Sequence, residues 1–409
     1  MAEIVPFRGL RYDERKAGDL TALICPPYDV INDADREALL ARSPHNFVRV
    51  EHAKSEPGDH EGRDKYTRAR AAVEAWTAQG VLRRDTAPAF YVHDHYFELG
   101  GRQLRRRGFF GALRLYPLDA GVVLPHEQTI PKDKGDRLTL LRATRVNTSP
   151  IFGMFEDANG RVAAMLEELT SGEARRVGEA RVGSERHVLS AIDGAAPAEE
   201  LRGALRDARI YLADGHHRYE VALEYLNEET AAKRVHDADD AASFVLTYLC
   251  ALDDPGLRIL ATHRIVSGAR AAMDAAVVRS FDPAPVDRGA LADTQPGIVL
   301  VRDGTFTRLE PKPSVDLAAL SEAWRSLPVA QAEALLIEPA RRAGGDVRYE
   351  HDGDKAIDAA VGQADAVLIR AVDAMTLKKV ADEGERLPPK TTYFYPKVPA
   401  GLVARPLEA

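Results

Sequence analysis

Residues 208–226 read Ala-Arg-Ile-Tyr-Leu-Ala-Asp-Gly-His-His-Arg-Tyr-Glu-Val-Ala-Leu-Glu-Tyr-Leu, and their pattern decides the fold. Ile210-Tyr211-Leu212-Ala213 is short, apolar and aromatic, which predicts a buried strand. From Arg218 onward, Tyr219, Val221, Ala222, Leu223 and Leu226 are interleaved with Glu220 and Glu224, which predicts a helix. Asp214-Gly215-His216-His217-Arg218 joins the two as a tight polar turn. A strand that enters a helix through glycine leaves backbone N–H groups pointing outward. With the helix dipole, these favour an anion, most often a phosphate. Arg218 adds a forked cation matched to phosphate oxygens. Asp214 is placed to cap the helix, hold a metal or take a proton. Capping and turn formation explain Asp214 and Gly215 taken alone. They do not explain two histidines and an arginine crowded into the same turn, so a ligand site is expected there.

Two further clusters accompany the turn. Between Leu124 and Pro150, His126, Glu127, Thr129, Lys132, Asp136 and Arg137 lie close together in the chain. Most of these charges read as a solvated loop entering a helix capped by Asp136, with Arg142 and Arg145 outward. Glu127, on a proline-stiffened loop, suits a general base or a magnesium ligand, and Lys132 and Arg137 suit phosphate oxygens. Near the C-terminus, Lys390-Thr391-Thr392-Tyr393-Phe394-Tyr395-Pro396-Lys397 interleaves aromatics with lysine. Such a segment can stack a base and neutralise a phosphate, and core packing accounts for its aromatics equally well.

Other signals are weaker. His93-Asp94-His95 puts two imidazoles on one strand face, but with no third ligand in evidence a sheet surface is the expectation. Cys25 has no flanking histidine or cation and reads as an unreactive thiol. The common phosphate-loop and dinucleotide fingerprints are absent from the sequence.

The 409 residues allow two or three domains or one elaborated α/β domain. Lys+Arg 55 against Asp+Glu 63 leaves a net charge of -8, which argues against nucleic acid as a partner. Two cysteines, Cys25 and Cys250, make no disulfide framework and no zinc knuckle. With no apolar leader and no run long enough for a bilayer, a cytoplasmic protein without a membrane partner is expected. Oligomeric state is left open.

Periodicity predicts helices at Asp33–Arg42, Asp64–Gln79, Arg137–Arg145, Lys355–Val361 and Met375–Glu383. It predicts strands at Phe47–Val50, Ile151–Phe155, Ser243–Leu252, Arg258–Val266 and Ala366–Arg370. A hairpin is expected over 89–115, turning at Gly100-Gly101. Residues 156–207 read as helical apart from a strand near His187–Leu189, and Pro388–Pro399 reads as a loop. The expected class is α/β, mixed α+β, with a core over 1–274 and a C-terminal α/β region over 275–409.

The string Ala213-Asp214-Gly215-His216-His217-Arg218-Tyr219 resembles the hallmark of a broad bacterial and archaeal family, a domain of unknown function. Pro26-Pro27-Tyr28-Asp29-Val30-Ile31, His126-Glu127-Gln128-Thr129, Lys134-Gly135-Asp136-Arg137-Leu138, Asp254-Pro255-Gly256-Leu257 and Phe394-Tyr395-Pro396-Lys397 match its pattern too. More distantly, the turn is similar to the phosphate loop of the ParB/sulfiredoxin superfamily. That resemblance implies a ParB/sulfiredoxin-like core with a nucleotide phosphate at a helix N-terminus. Within the superfamily, free L-serine kinases dependent on ADP or ATP carry a like turn and an upstream glutamate base. By that likeness Asp214, His216, His217 and Arg218 serve the nucleotide and its phosphates; Gly215, Lys132 and Arg137 are expected to join them on the grounds of the turn and of charge given above. It makes Glu127 the candidate base; Asp214 is the other group expected to accept the hydroxyl proton, and His217 is a further catalytic candidate. Sulfiredoxin has cysteine where this chain has His216, which argues against sulfinic-acid reduction.

The leading expectation is a phosphotransferase using ATP or ADP with Mg²⁺ on a small hydroxyl compound such as free L-serine. The alternatives are a nucleotide-bound switch or ParB-like hydrolase acting through partners, and a regulatory binder without turnover.

Overall fold

In the computed structural model, residues 1–127, 134–171, 175–288, 297–317, 320–388 and 390–408 are described. The fold is mixed α/β, as expected. The chain forms two compact units. The first comprises Met1–Pro125, Thr129–Leu257 and Pro396–Ala409, and the second His126–Gln128 and Arg258–Tyr395. Among the described residues no helix is long and apolar enough to cross a membrane.

The first unit is built on a nine-stranded sheet. Its main strands are β1 (Phe90–Leu99), β2 (Arg102–Arg114), β3 (Val123–Pro125), β4 (Ile151–Phe155), β5 (Arg175–Val182), β6 (Glu185–Ile192), β7 (Ile210–Asp214) and β8 (Phe244–Ala251). They lie in the order β3-β7-β4-β8-β2-β1-β6-β5, and Ile4–Val5 adds a short strand against β2. Pairing is parallel at β3–β7 and β4–β8 and antiparallel elsewhere in this order. The expected hairpin is β1–β2, and Gly100 and Gly101 both take positive φ in its turn.

Three helices matter for the site: α1 (Lys65–Ala78), α2 (Lys134–Thr144) and α3 (His216–Ala231). The stretch 208–226 folds as read, with β7 turning through Gly215 into α3. Ile210 and Leu212 of β7 and Tyr219 and Ala222 of α3 join one core with Phe109, Ile151, Val245 and Leu249. Burying each large apolar side chain there contributes about 1.5–3 kcal/mol. Tyr219 is fully buried, and its hydroxyl donates to the Tyr116 carbonyl at 2.8 Å and accepts from the Tyr116 N–H at 2.9 Å. These contacts fix where the first turns of α3 lie.

The second unit holds a six-stranded antiparallel sheet. Its strands, in spatial order, are Phe281–Pro285, Thr305–Pro311, Ile298–Arg302, Ala364–Ile369, His263–Ser267 and Asp346–Glu350.

Three local readings need correction. Phe47–Val50 is not a strand, because a short helix occupies Val48–Glu51. The buried Asn46 causes it: its side-chain oxygen accepts the Val48 N–H at 3.0 Å, while its amide donates to Ala22 O at 2.7 Å. Residues 156–207 are not mainly helical, since β5 and β6 form a hairpin at Gly183 (φ +61°), where cross-strand pairing overrides an Ala/Glu/Arg-rich composition. Within Pro388–Pro399, Thr392–Tyr395 is a strand paired with Arg258–Ala261.

Candidate functional site

Gly215 caps α3 in the left-handed conformation, with φ +83°. A Cβ at this position would meet Arg218 Nε at 3.0 Å and Ile151 Cα at 3.1 Å. Glycine therefore lets the turn close on the neighbouring strand β4. His216 and His217 follow, half-buried, on the first turn of α3.

Asp214 lies between two cations. Lys397 Nζ is 3.2 Å from one carboxylate oxygen, and Arg218 Nη2 donates to the other at 3.1 Å. Burial pushes this acid up, but Lys397 and Arg218 outweigh it and hold it well below the usual carboxylate range. So acidic a group is a weak proton acceptor near neutral pH and a firm anchor for its cations. Arg218 Nη1 donates to the Pro150 carbonyl. These two contacts use two of the five guanidinium donors.

Arg137 enters from α2. Its Nη1 donates to the Glu51 carbonyl at 2.8 Å and its Nε to Asp136 at 3.0 Å, and its guanidinium lies 4.0 Å from the centre of the Tyr28 ring. Lys65 Nζ of α1 holds the other Asp136 oxygen at 2.5 Å. Burial raises the Asp136 carboxyl, but Arg137 and Lys65 overcome it and bring it down to about 2. The Glu51 carboxylate is buried, accepting from Thr148 Oγ1 at 2.6 Å, Ser149 Oγ at 2.9 Å and the Tyr28 N–H at 3.3 Å.

Arg137, Arg218, Thr148 and Ser149 line one cleft of about 40 Å³, with Leu140, Leu141, Val221 and Val245 as its apolar wall. A single water needs roughly 10–15 Å³ of such space. The cleft therefore admits a group the size of a phosphoryl, not a whole nucleotide. A larger hollow of about 360 Å³ in the same unit is lined by Arg11, Arg15, Arg83, Arg175 and Arg176, together with Asp13 and Glu14. Arg11 is already committed to Asp85 through bonds of 2.8 and 2.6 Å. The smaller cleft joins two arginines and two hydroxyls, one of the arginines being Arg218 in the first turn of α3, so it is the better phosphate candidate.

The structure thus brings together Asp214, Gly215, His216, His217 and Arg218, and places Arg137 with Arg218 in one cleft. Glu127 belongs to the second unit, where its carboxylate accepts the Lys390 N–H at 2.9 Å. Lys132 lies outside the described residues. Sequence reasoning missed Glu51, Thr148 and Ser149 as site residues, and gave no role to Tyr28 and Lys397 beyond their strings. Tyr28 and Lys397 had a signal in Pro-Pro-Tyr-Asp and Tyr-Pro-Lys; Glu51, just past a segment read as strand, had none. His93 and His95 are not on a solvated sheet surface: both are buried, and β6 brings His187 beside them.

By structure, the chain is similar to C-terminally truncated SbnI from Staphylococcus aureus, at 12% identity and a TM-score of 0.40, covering 70% of this chain and 84% of that one. It is also similar to a free serine kinase variant in complex with ADP, at 13% identity and a TM-score of 0.39, covering 70% and 87%. A conserved hypothetical protein from Pyrococcus furiosus matches at 13% identity and a TM-score of 0.37, covering 72% and 93%. A sequence search of curated proteins finds no match. The family described as "protein of unknown function (DUF1015)" matches residues 4–330, most of the sequence, and the chain belongs to it.

Proposed function

We propose that the first unit binds the phosphate tail of ATP or ADP at the Asp214–Arg218 turn and transfers its terminal phosphoryl group to a small hydroxyl compound. Free L-serine is the first acceptor to try. The reading carries with it a ParB/sulfiredoxin-like core for this unit. The observation that supports it most is the shared cleft of Arg137, Arg218, Thr148 and Ser149 beside the first turns of α3. Phosphoryl transfer asks a protein mainly for positioning and for cations on the phosphate oxygens.

In this scheme the acceptor oxygen attacks the terminal phosphorus and the bond from phosphorus to the leaving nucleotide oxygen breaks. Arg218, Arg137 and the N–H groups at the start of α3 carry the phosphate charge. The acceptor's proton needs a carboxylate. Asp214 is held too acidic by Lys397 and Arg218 for that task. Glu51 is the base we assign, acting through the Thr148 or Ser149 hydroxyl, which lines the cleft, donates its own proton to Glu51 and takes up the acceptor's. Glu127 is the rival carboxylate, suggested by resemblance. The carboxylates do not fit a dedicated Mg²⁺ cage. Asp214 and Asp136 are each matched to two cations, and Glu51 is occupied by two hydroxyls and an N–H.

The test is incubation of the purified chain with ATP or ADP, with and without Mg²⁺, and a panel of amino acids and small alcohols, followed by ³¹P NMR. A phosphorylated acceptor that appears only when both substrates are present supports transfer. Nucleotide binding without product refutes the transferase and favours a nucleotide-bound switch.

A further inference from the structure

His93 and His95 alternate on β1 and so share one face of the sheet. On the antiparallel neighbour β6, His187 lies directly opposite His95. The ring centres are 4.2 Å apart for His95–His187 and 5.3 Å for both His93–His187 and His93–His95. One ring nitrogen from each can be chosen so that all three lie within 4.8 Å of one another, the one such cluster among the described residues. His93 Nε2 and His187 Nδ1 are 3.1 Å apart. Nitrogens bound tetrahedrally at about 2.0–2.1 Å from an ion are themselves roughly 3.3 Å apart, so this pair is nearly at ligand spacing. A carboxylate lies beside the group: Glu185 Oε2 is 2.8 Å from His95 Nε2 and 3.7 Å from His187 Nε2, the ring nitrogen not paired with His93.

We propose that His93, His95 and His187, with Glu185, form a binding site for a zinc-class divalent transition-metal ion. Three imidazoles and one carboxylate are the donor set such ions select, whereas Mg²⁺ and Ca²⁺ require oxygen. All three rings are buried, and the neutral imidazole is the form that binds metal. Phe110 and Tyr248, with ring centres 5.9 and 5.8 Å from that of His93, supply an apolar shell.

Arg106 sets the condition for loading. It is fully buried, and its Nη2 is 3.2 Å from His95 Nδ1. Arginine can only donate, so His95 Nδ1 accepts and its Nε2 carries the proton towards Glu185. Binding through His95 Nε2 therefore releases that proton to solvent, and the Glu185 carboxylate offsets part of the repulsion between Arg106 and the ion. The proposed site shares no residue with the phosphate cleft, so either can fail without the other.

The experiment uses the full chain stripped with chelator, then titrated with Co²⁺ and followed by visible absorption, with Zn²⁺ content measured by mass spectrometry after reloading. The expected result is a d–d band saturating at one Co²⁺ per chain, displaced by one Zn²⁺, with a Tm raised by several degrees. His93→Gln and His187→Gln, checked for folding by circular dichroism, are expected to weaken binding at least tenfold. Folded wild-type protein that takes up no stoichiometric Co²⁺ or Zn²⁺ at micromolar free metal overturns the proposal, whether or not the variants fold. Because the chain has 12 histidines, binding that is unchanged in a folded variant overturns it too.

Discussion

The Asp214–Arg218 turn and the His93–His95–His187 face both gather titratable side chains in the first unit, and they handle charge in opposite ways. At the turn, burial is countered by matched ions: Lys397 and Arg218 keep Asp214 ionised, and Asp214 in turn sustains the arginine's charge. At the histidine face, burial leads and keeps the imidazoles neutral, with Arg106 reinforcing it. A buried group keeps its charge only where a partner of opposite sign is built in. The first arrangement suits a multiply charged anion, the second a ligand that needs neutral lone pairs.

The sharpest way to break this comparison is at the proton acceptor. Glu51→Gln is expected to lower kcat for phosphoryl transfer by about 10³-fold while leaving nucleotide affinity within a few-fold, read by steady-state kinetics and calorimetry. Glu127→Gln run alongside decides between the two carboxylates, because the larger kcat loss marks the base. Next in size, Arg218→Ala is expected to cost about 10²-fold or more in rate and to weaken nucleotide binding. Arg218→Lys restores only part, since an ammonium cannot reproduce the forked contacts to Asp214 and Pro150.

A smaller effect comes from the backbone. Gly215→Ala places a Cβ against Ile151 and Arg218 in a left-handed conformation, which costs about 2 kcal/mol of stability in denaturant titration. Smallest is Asp136→Asn. The carboxyl's value is depressed in the fold to about 2, so its stabilising contribution is complete above the unfolded value near 4 and is lost as pH falls towards 2. With its side chain about a third exposed, the variant is expected to lose about 1 kcal/mol at pH 7. The gap from the natural protein closes between pH 4 and pH 2.

The two regions also differ in how legible they are in the sequence. The turn is five consecutive residues between a strand period and a helix period, so its place at a strand-to-helix junction follows from local pattern. The β1–β2 hairpin is legible for the same reason, through Gly100-Gly101. The histidine face is not, because His187 joins His93 and His95 only through the β1–β6 register, and nothing local specifies that pairing. Glu51 is hidden differently: the Asn46 side chain, through bonds to Ala22 and Val48, turns an alternating segment into a helix. Lys397 is far from Asp214 in the chain, and only tertiary folding pairs them.

The central claim is that the strand-to-helix turn grips the phosphates of a nucleotide, and a crystal structure of the chain with ADP tests it most directly. The terminal phosphate is expected within hydrogen-bond distance of the backbone N–H groups at His216 and His217 and of the Arg218 guanidinium. ADP bound in the hollow lined by Arg11 and Arg175, with the turn untouched, would contradict it.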